Sequence, residues 1–369
     1  MTTTKRLRIG VVGTGIIAKV MHLHYLDELA ESFEVAAVCD IVPENAKACA
    51  ERYGIAATYA DWRELIQQPL NAVLVITSGS HGPIAVEAAK AGLHVLVEKP
   101  MCFSVSEGQA MVTAAVEAGV TLMVAYPKRY DPAYARFRMA VRALAAPRLL
   151  RVTTFESPFL PYIEHYALPK PAPAPGDIQA AMRAETDASI RSAIGDATDF
   201  ERQIYHLVLL DTLVHELNTV RGLLGEPDRL DYVDLREHSL TAMLSFGELP
   251  VAIHWLDLPG ITRYGMEFAA YAPDRRVTLS FPSPFLRSEP ATIVTEGGDP
   301  GTTRTWCSEE IVSYSSGFKS ELAAFHHCVV TGESPLTSGI DGLRDIALCQ
   351  AIIESYRKGG PVDAPSTIS

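Results

Sequence analysis

The sequence lacks most of the features that would set it apart from an ordinary globular protein. Its six cysteines form no C-x-x-C pair and no close framework, which predicts reduced thiols in a cytoplasmic compartment. No apolar run reaches the ~18 residues of a membrane-crossing helix, so no membrane span is expected. Asp and Glu outnumber Lys and Arg by 44 to 32, the formal net charge is −12, and no basic cluster exceeds a few residues. Without a basic face, no nucleic-acid partner is expected, and a small-molecule ligand is the better expectation. His326-His327-Cys328 imitates a metal cluster, but adjacent residues on a helix point in different directions, and no metal is expected there. Lys5-Arg6-Leu7-Arg8 ahead of IGVVGTGIIA imitates an export signal. Gly13, Gly15 and Lys19 interrupt it and no small-residue cleavage site follows, so it is read as part of the fold.

What is present is a chain of 369 residues, 48% hydrophobic and 21% charged, longer than one hydrophobic core usually serves. Two domains are expected. Up to about residue 125, short apolar runs alternate with helical patterns. The predicted strands are Leu7 to Val12, Glu34 to Cys39, Ala72 to Ile76, His94 to Val97 and Thr121 to Ala125, nearly continuous in apolar residues as strands buried on both faces must be. Between them, Asp61-x-x-Glu64 and Ser104-x-x-Glu107 resemble capping boxes, and Gly54, Gly92 and Gly119 fall where helices end. The repeated βα rhythm predicts a doubly wound domain with a parallel sheet over residues 1–127, followed by an α/β domain over 128–369 with an open, mostly antiparallel sheet. That second part has a strand near Leu149 to Glu156, an insertion over 157–199 that is proline-rich and then weakly helical, a strong helix from Phe200 to Leu224, and six further strands between Asp228 and Thr295. Helices at Ser320 to Val330 and Gly339 to Lys358 close the chain. The outer face of the antiparallel sheet is the expected contact of a homodimer or homotetramer.

Three groups of residues carry chemistry. The first strand runs into Gly13-Thr14-Gly15-Ile16-Ile17-Ala18, a G-x-G-x-x-A at the mouth of a helix. Gly13 permits the turn, Gly15 lets backbone approach a pyrophosphate, and Ala18 lets helix and strand pack closely. Asp40 ends the second strand, where a carboxylate can accept from an adenosine ribose. It is followed by Ile41 rather than an arginine, which predicts NAD over NADP. The second group is the apolar strand ending in Glu98-Lys99-Pro100, which places Lys99 at the ligand-binding edge of a parallel sheet. There it can hold a substrate oxygen, relay a proton, or simply pair with Glu98 in solvent. In the third, Asp211 and His215 lie four residues apart on the long helix and are expected to share a face, the carboxylate orienting the imidazole and raising its pKa; a plain surface pair is the other reading. The insertion is expected to be a lid over the substrate mouth, with Tyr162 and His165 in reach of a polyol.

These residues together resemble the Gfo/Idh/MocA oxidoreductases, on GTGIIA at 13–18, ITSGSH at 76–81 followed by AGLHVLVEKP, DTLVH at 211–215 running into RGLLGEP, and FKSELAAFHHCVVTGESP near the end. The resemblance implies a Rossmann domain, with the nicotinamide in the cleft before a second, sheet-bearing domain. It further implies that Lys99 contacts the substrate oxygen with Asp211 and His215 completing the catalytic set, that Thr77, His81, Glu98 and Lys99 line the cofactor, and that Lys128 stands near the substrate. Asn218 departs from the acidic residue of many relatives. The expected activity is an NAD-dependent dehydrogenase acting on a secondary alcohol of a sugar, cyclitol or related polyol. The alternatives are an enzyme with tightly bound NAD giving redox-neutral sugar chemistry, a non-catalytic regulator, and an interaction protein.

Overall fold

The computed structural model describes residues 5–365. Six parallel strands come first: β1 (Leu7–Val12), β2 (Phe33–Cys39), β3 (Ala57–Tyr59), β4 (Ala72–Val75), β5 (His94–Val97) and β6 (Leu122–Val124). They stand in the order β3-β2-β1-β4-β5-β6, so the winding reverses between β1 and β4, the crevice where such sheets hold ligands. β4 is buried at every position, as its apolar sequence requires of a strand covered on both faces. The intervening helices are α1 (Leu23–Glu28), preceded by a π-helical turn at Ala18–His22, then α2 (Pro43–Tyr53), α3 (Trp62–Ile66), α4 (Gly82–Lys90) and α5 (Val105–Ala118). Ser104 caps α5 by accepting the Glu107 N–H at 3.3 Å, and Gly54 and Gly119 end α2 and α5 with left-handed backbones.

The chain then turns through Pro127–Tyr130 into α6 (Pro132–Arg142), β7 (Leu149–Glu156), α7 (Leu160–Ile163), α8 (Gly176–Ile194), α9 (Asp199–Gln203) and α10 (Val214–Leu224). Next come β8 (Arg229–Arg236), β9 (Ser239–Phe246), β10 (Leu249–Asp257), β11 (Gly265–Tyr271), β12 (Arg275–Phe281), β13 (Thr292–Gly298) and β14 (Thr305–Ile311). Helices α11 (Gly317–Thr331) and α12 (Gly339–Lys358) and the short β15 (Val362–Asp363) follow. The second sheet has nine strands in the order β14-β13-β12-β11-β7-β10-β9-β8-β15, all antiparallel to their neighbours except β7 and β10. Along β9 half-buried and buried residues alternate, the mark of a sheet with one face on the core. The last helices return to the first sheet: Phe318, Leu322 and Phe325 of α11 share the core of β1 and α1.

Two expectations are corrected. The long helix is interrupted, because Ile204–Leu213 between α9 and α10 is π-helical. The weakly helical stretch of the insertion is a helix of 19 residues, α8. Its first half is poorly buried, which is why its apolar period is faint.

Candidate active site

On the cofactor side, β1 delivers Gly13 in a positive-φ conformation (+96°), where a Cβ would stand 2.5 Å from the Ile76 carbonyl oxygen. Only glycine is tolerated there. At Gly15, by contrast, an added Cβ would meet nothing within 4 Å: the bare backbone looks into open space, as a pyrophosphate cradle must. Ile16 is exposed and Ile17 half-buried, while the buried Ala18 opens the π-helical turn. Asp40 accepts the Thr14 N–H at 2.9 Å and the Thr14 hydroxyl at 2.6 Å on one oxygen, and the Val42 N–H at 3.0 Å on the other. Of the roughly four acceptor positions of a carboxylate, three are filled, so Asp40 braces the glycine loop and keeps capacity for one ribose hydroxyl. The Thr77 hydroxyl is buried and has no partner. This open cradle, the spare acceptor and the orphaned hydroxyl fit a dinucleotide.

His81 and Glu98, expected from the resemblance to line the cofactor, have other partners. The His81 ring stands between the Pro100 carbonyl (2.8 Å) and the Thr77 carbonyl (2.9 Å); burial lowers its pKa, and the neutral ring donates to one of the two. It ties together the two loops that wall the cleft. The Glu98 carboxylate takes the His22 Nε2 contact at 2.6 Å and the Lys99 N–H at 3.0 Å. Burial raises its pKa, but His22 and Lys99 outweigh burial and hold it below the usual carboxylate value. His22, from the turn before α1, carried no signal in the sequence.

On the reaction side, the fold brings Lys99 at the end of β5 against Asp211 in the π-helical stretch. Lys99 Nζ donates to Asp211 Oδ1 at 2.7 Å and to the Asp211 carbonyl at 2.5 Å. Burial pulls the Lys99 pKa down, yet the carboxylates of Asp211, Glu98 and Glu156 carry it above the ordinary lysine value. Lys99 is therefore an ammonium at neutral pH, a donor and not a base. Asp211 is pushed up by its surroundings and pulled down further by Lys99, with a net fall; its side chain is 65% exposed.

The expected Asp211–His215 couple is not formed. Asp211 is engaged by Lys99 instead. His215 lies with its ring edge-on to Tyr126, 5.9 Å between centroids. Its Nδ1 is buried and unpartnered. Burial lowers its pKa well below the histidine value, and the Lys128 and Lys99 charges lower it further. The anticipated rise is thus reversed, and His215 is neutral.

Lys128, in the turn Pro127–Tyr130, is 8% exposed. Burial lowers its pKa, against the attraction of Glu216. Glu216, the neighbour of His215, is fully buried; burial raises its pKa against the pull of Lys128, and the Thr154 hydroxyl donates to it. An unpaired buried charge costs several kcal/mol, so each of the two favours the other's ionised form. Glu216 and Thr154 were not anticipated, because their role depends on β7 lying beside α10.

The insertion differs from a simple substrate lid. The Tyr162 hydroxyl donates to the Thr262 carbonyl (2.9 Å) and accepts the Tyr264 N–H (2.7 Å), so it positions the loop bearing Tyr264, which is half-buried near Glu216 and Glu156. His165 is exposed and packs on Tyr166, 4.0 Å between ring centroids. Neither forms a hydrogen bond to Lys99, Lys128 or His215. Asn218 is buried and donates to Asp341 and Asp345 of α12, each at 2.7 Å. Its Oδ1 accepts from Arg129 at 3.0 Å; an ionised acidic residue could accept in the same way but could donate to neither carboxylate. The described cysteines are all unpaired. No cluster suited to a metal ion occurs among the described residues, and no helix among them is long and apolar enough to cross a membrane.

Residues 7–126 match a family model described as "Oxidoreductase family, NAD-binding Rossmann fold". The myo-inositol 2-dehydrogenase of Thermotoga maritima is 25% identical over 365 residues, covering 95% of this chain and 97% of its own. The D-apiose dehydrogenase of Paraburkholderia graminis is 25% identical over 394 residues, covering 99% of this chain and 92% of its own. Among solved structures, a levoglucosan dehydrogenase in complex with NADH and L-sorbose superposes with a TM-score of 0.75 at 20% identity, over 98% of this chain and 99% of its own. That structural likeness establishes the fold.

Proposed function

We propose, from the premise that this chain belongs to the Gfo/Idh/MocA oxidoreductase family, that it is an NAD-dependent dehydrogenase oxidising a secondary alcohol of a sugar, cyclitol or related polyol. The observation that carries the reading is the meeting of a charged Lys99 with a neutral His215 in one cleft, beside a glycine loop with open space in front of it. When bound, NAD supplies the hydride acceptor. Lys99 donates a hydrogen bond to the substrate oxygen and stabilises the negative charge that grows there as the O–H proton leaves. The His215 imidazole takes that proton. Asp211 keeps Lys99 in place and charged, and the Lys128–Glu216 pair offers a second polar wall for neighbouring hydroxyls. The carbinol carbon loses its hydrogen as hydride and becomes a carbonyl, so the two electrons and the proton are both accounted for.

The direct test is a panel of sugars and cyclitols with the purified chain and NAD, read at the NADH absorbance. Turnover of at least one ring alcohol is expected. Turnover of none, with NAD binding intact, would leave the regulator reading in its place.

Cofactor choice provides a second expectation. The Asp40 carboxylate repels a 2′-phosphate and Ile41 offers it no cation, so kcat/KM should favour NAD over NADP. Asp40→Ser should narrow the ratio while weakening both cofactors, because Thr14 loses its acceptor. Equal efficiency with the two cofactors in the unmodified protein would refute the assignment.

A further inference from the structure

The insertion runs along the side of the cleft where the adenosine half of a dinucleotide lies. Ala172 and Asn45 exchange two hydrogen bonds: Asn45 Nδ2 donates to the Ala172 carbonyl at 3.0 Å, and the Ala172 N–H donates to Asn45 Oδ1 at 2.8 Å. Asn45 sits in the first turn of α2, five residues beyond Asp40. Upstream, Arg52 at the far end of α2 donates to the Ala167 carbonyl at 2.6 Å. Tyr166 packs against Arg287, 4.3 Å from guanidinium carbon to ring centre, and Arg287 in turn donates to the Val20 carbonyl at 2.6 Å. The prolines at 169, 171, 173 and 175 keep this strap extended at little further entropic cost.

Helix α8 starts directly after the strap and ends against the C-terminal half of α12. There Ile190 and Ile194 are buried in the core that contains α12, and Arg357 of α12 donates to the Ile194 carbonyl at 2.7 Å. Its 19 residues span about 28 Å at ~1.5 Å each. That length is enough to run from α2, beside β2, to the C-terminal half of α12. Midway, Asp187 is close enough to His206 to favour its protonated form, although burial dominates, and the His206 ring stands 5.3 Å from that of Phe103, just beyond Lys99. Ile178 and Met182, one and two turns into α8 on the face that continues to Ile190, are half-buried and belong to neither hydrophobic core.

We infer that residues 166–194 form a clamp over the dinucleotide, with the Asn45–Ala172 pair as its latch and Ile178 and Met182 as its inner face, and that NADH leaves slowly because the clamp must open first. This rests on the NAD-dependent reading above. The site thus has a further wall supplied by the insertion, and cofactor exchange is governed by residues that touch neither the substrate nor the reacting atoms.

The test is displacement of bound NADH by excess NAD, followed by stopped-flow fluorescence, in the unmodified protein and in Asn45→Ala. Losing two hydrogen bonds at the latch should speed release roughly tenfold. Hydrogen exchange on the unmodified protein gives a readout that depends on no variant: amides over 176–194 should exchange more slowly once NADH is added. If NADH binds but its release is unchanged in Asn45→Ala and those amides are indifferent to it, the clamp is wrong and the NAD reading survives. If the unmodified protein binds no NADH, both fall together.

Discussion

Lys99→Met is expected to lower kcat by at least roughly a hundredfold, the usual loss for a positioned acid, base or oxygen-binding group, while leaving NAD binding nearly unchanged. The structure gives the reason for the separation. Lys99 Nζ is held by Asp211 at 2.7 Å, at the end of β5, two strands along the sheet from the β1 end that carries the glycine loop, and its carboxylate neighbours keep it protonated. Methionine fills a similar volume but donates nothing, so the charge that develops on the substrate oxygen loses its stabilising partner. Asp211 would be left without its cation, but its exposed carboxylate remains solvated and the cost to stability is small. Steady-state kinetics together with an equilibrium NAD titration decide the matter. Weakened NAD binding with retained turnover would reassign Lys99 to the cofactor.

His215→Asn should cost roughly a hundredfold to ten-thousandfold in the oxidative direction, with a characteristic pH signature. A base must start neutral. Burial and two nearby cations depress the His215 pKa, so the imidazole is protonated and inactive only below a midpoint lying under the usual histidine value of about 6.5. As pH rises through that midpoint the rate should climb, then hold level across neutrality. The asparagine variant should lose this limb and run at a low, flat rate over the same range. Asp211→Asn should leave the midpoint nearly where it is, since Asp211 engages Lys99 rather than His215. Survival of the ionisation in His215→Asn together with its disappearance in a Lys99 variant would make the lysine the base. An ionisation nearer neutrality that persists in His215→Asn and disappears in Glu216→Gln belongs to the Lys128–Glu216 pair, whose members burial shifts toward each other.

The sequence by itself determined those elements whose cause is local. β1, β2, β4 and β5 were legible because a strand covered on both faces must be apolar throughout, and the glycine loop was legible because Gly13 has no substitute at its backbone angle. Lys99 and His215 were visible as residue types placed at a strand end and on a helix. β3 and β14 were not, since the half-exposed Ala57–Tyr59 and the mostly exposed Thr305–Ile311 carry no apolar period and are strands only because a neighbour pairs with them. The charge state of the site was beyond local reasoning for the same kind of reason. Asp211 and His215 look like a couple in the chain, yet Asp211 is taken by a lysine 112 residues away, and His215 responds to burial and to Lys128. Periodicity and backbone constraint act over a few residues and are written in the sequence, whereas desolvation and pairing of charges depend on which distant segments the fold packs together, and only the tertiary structure decided them.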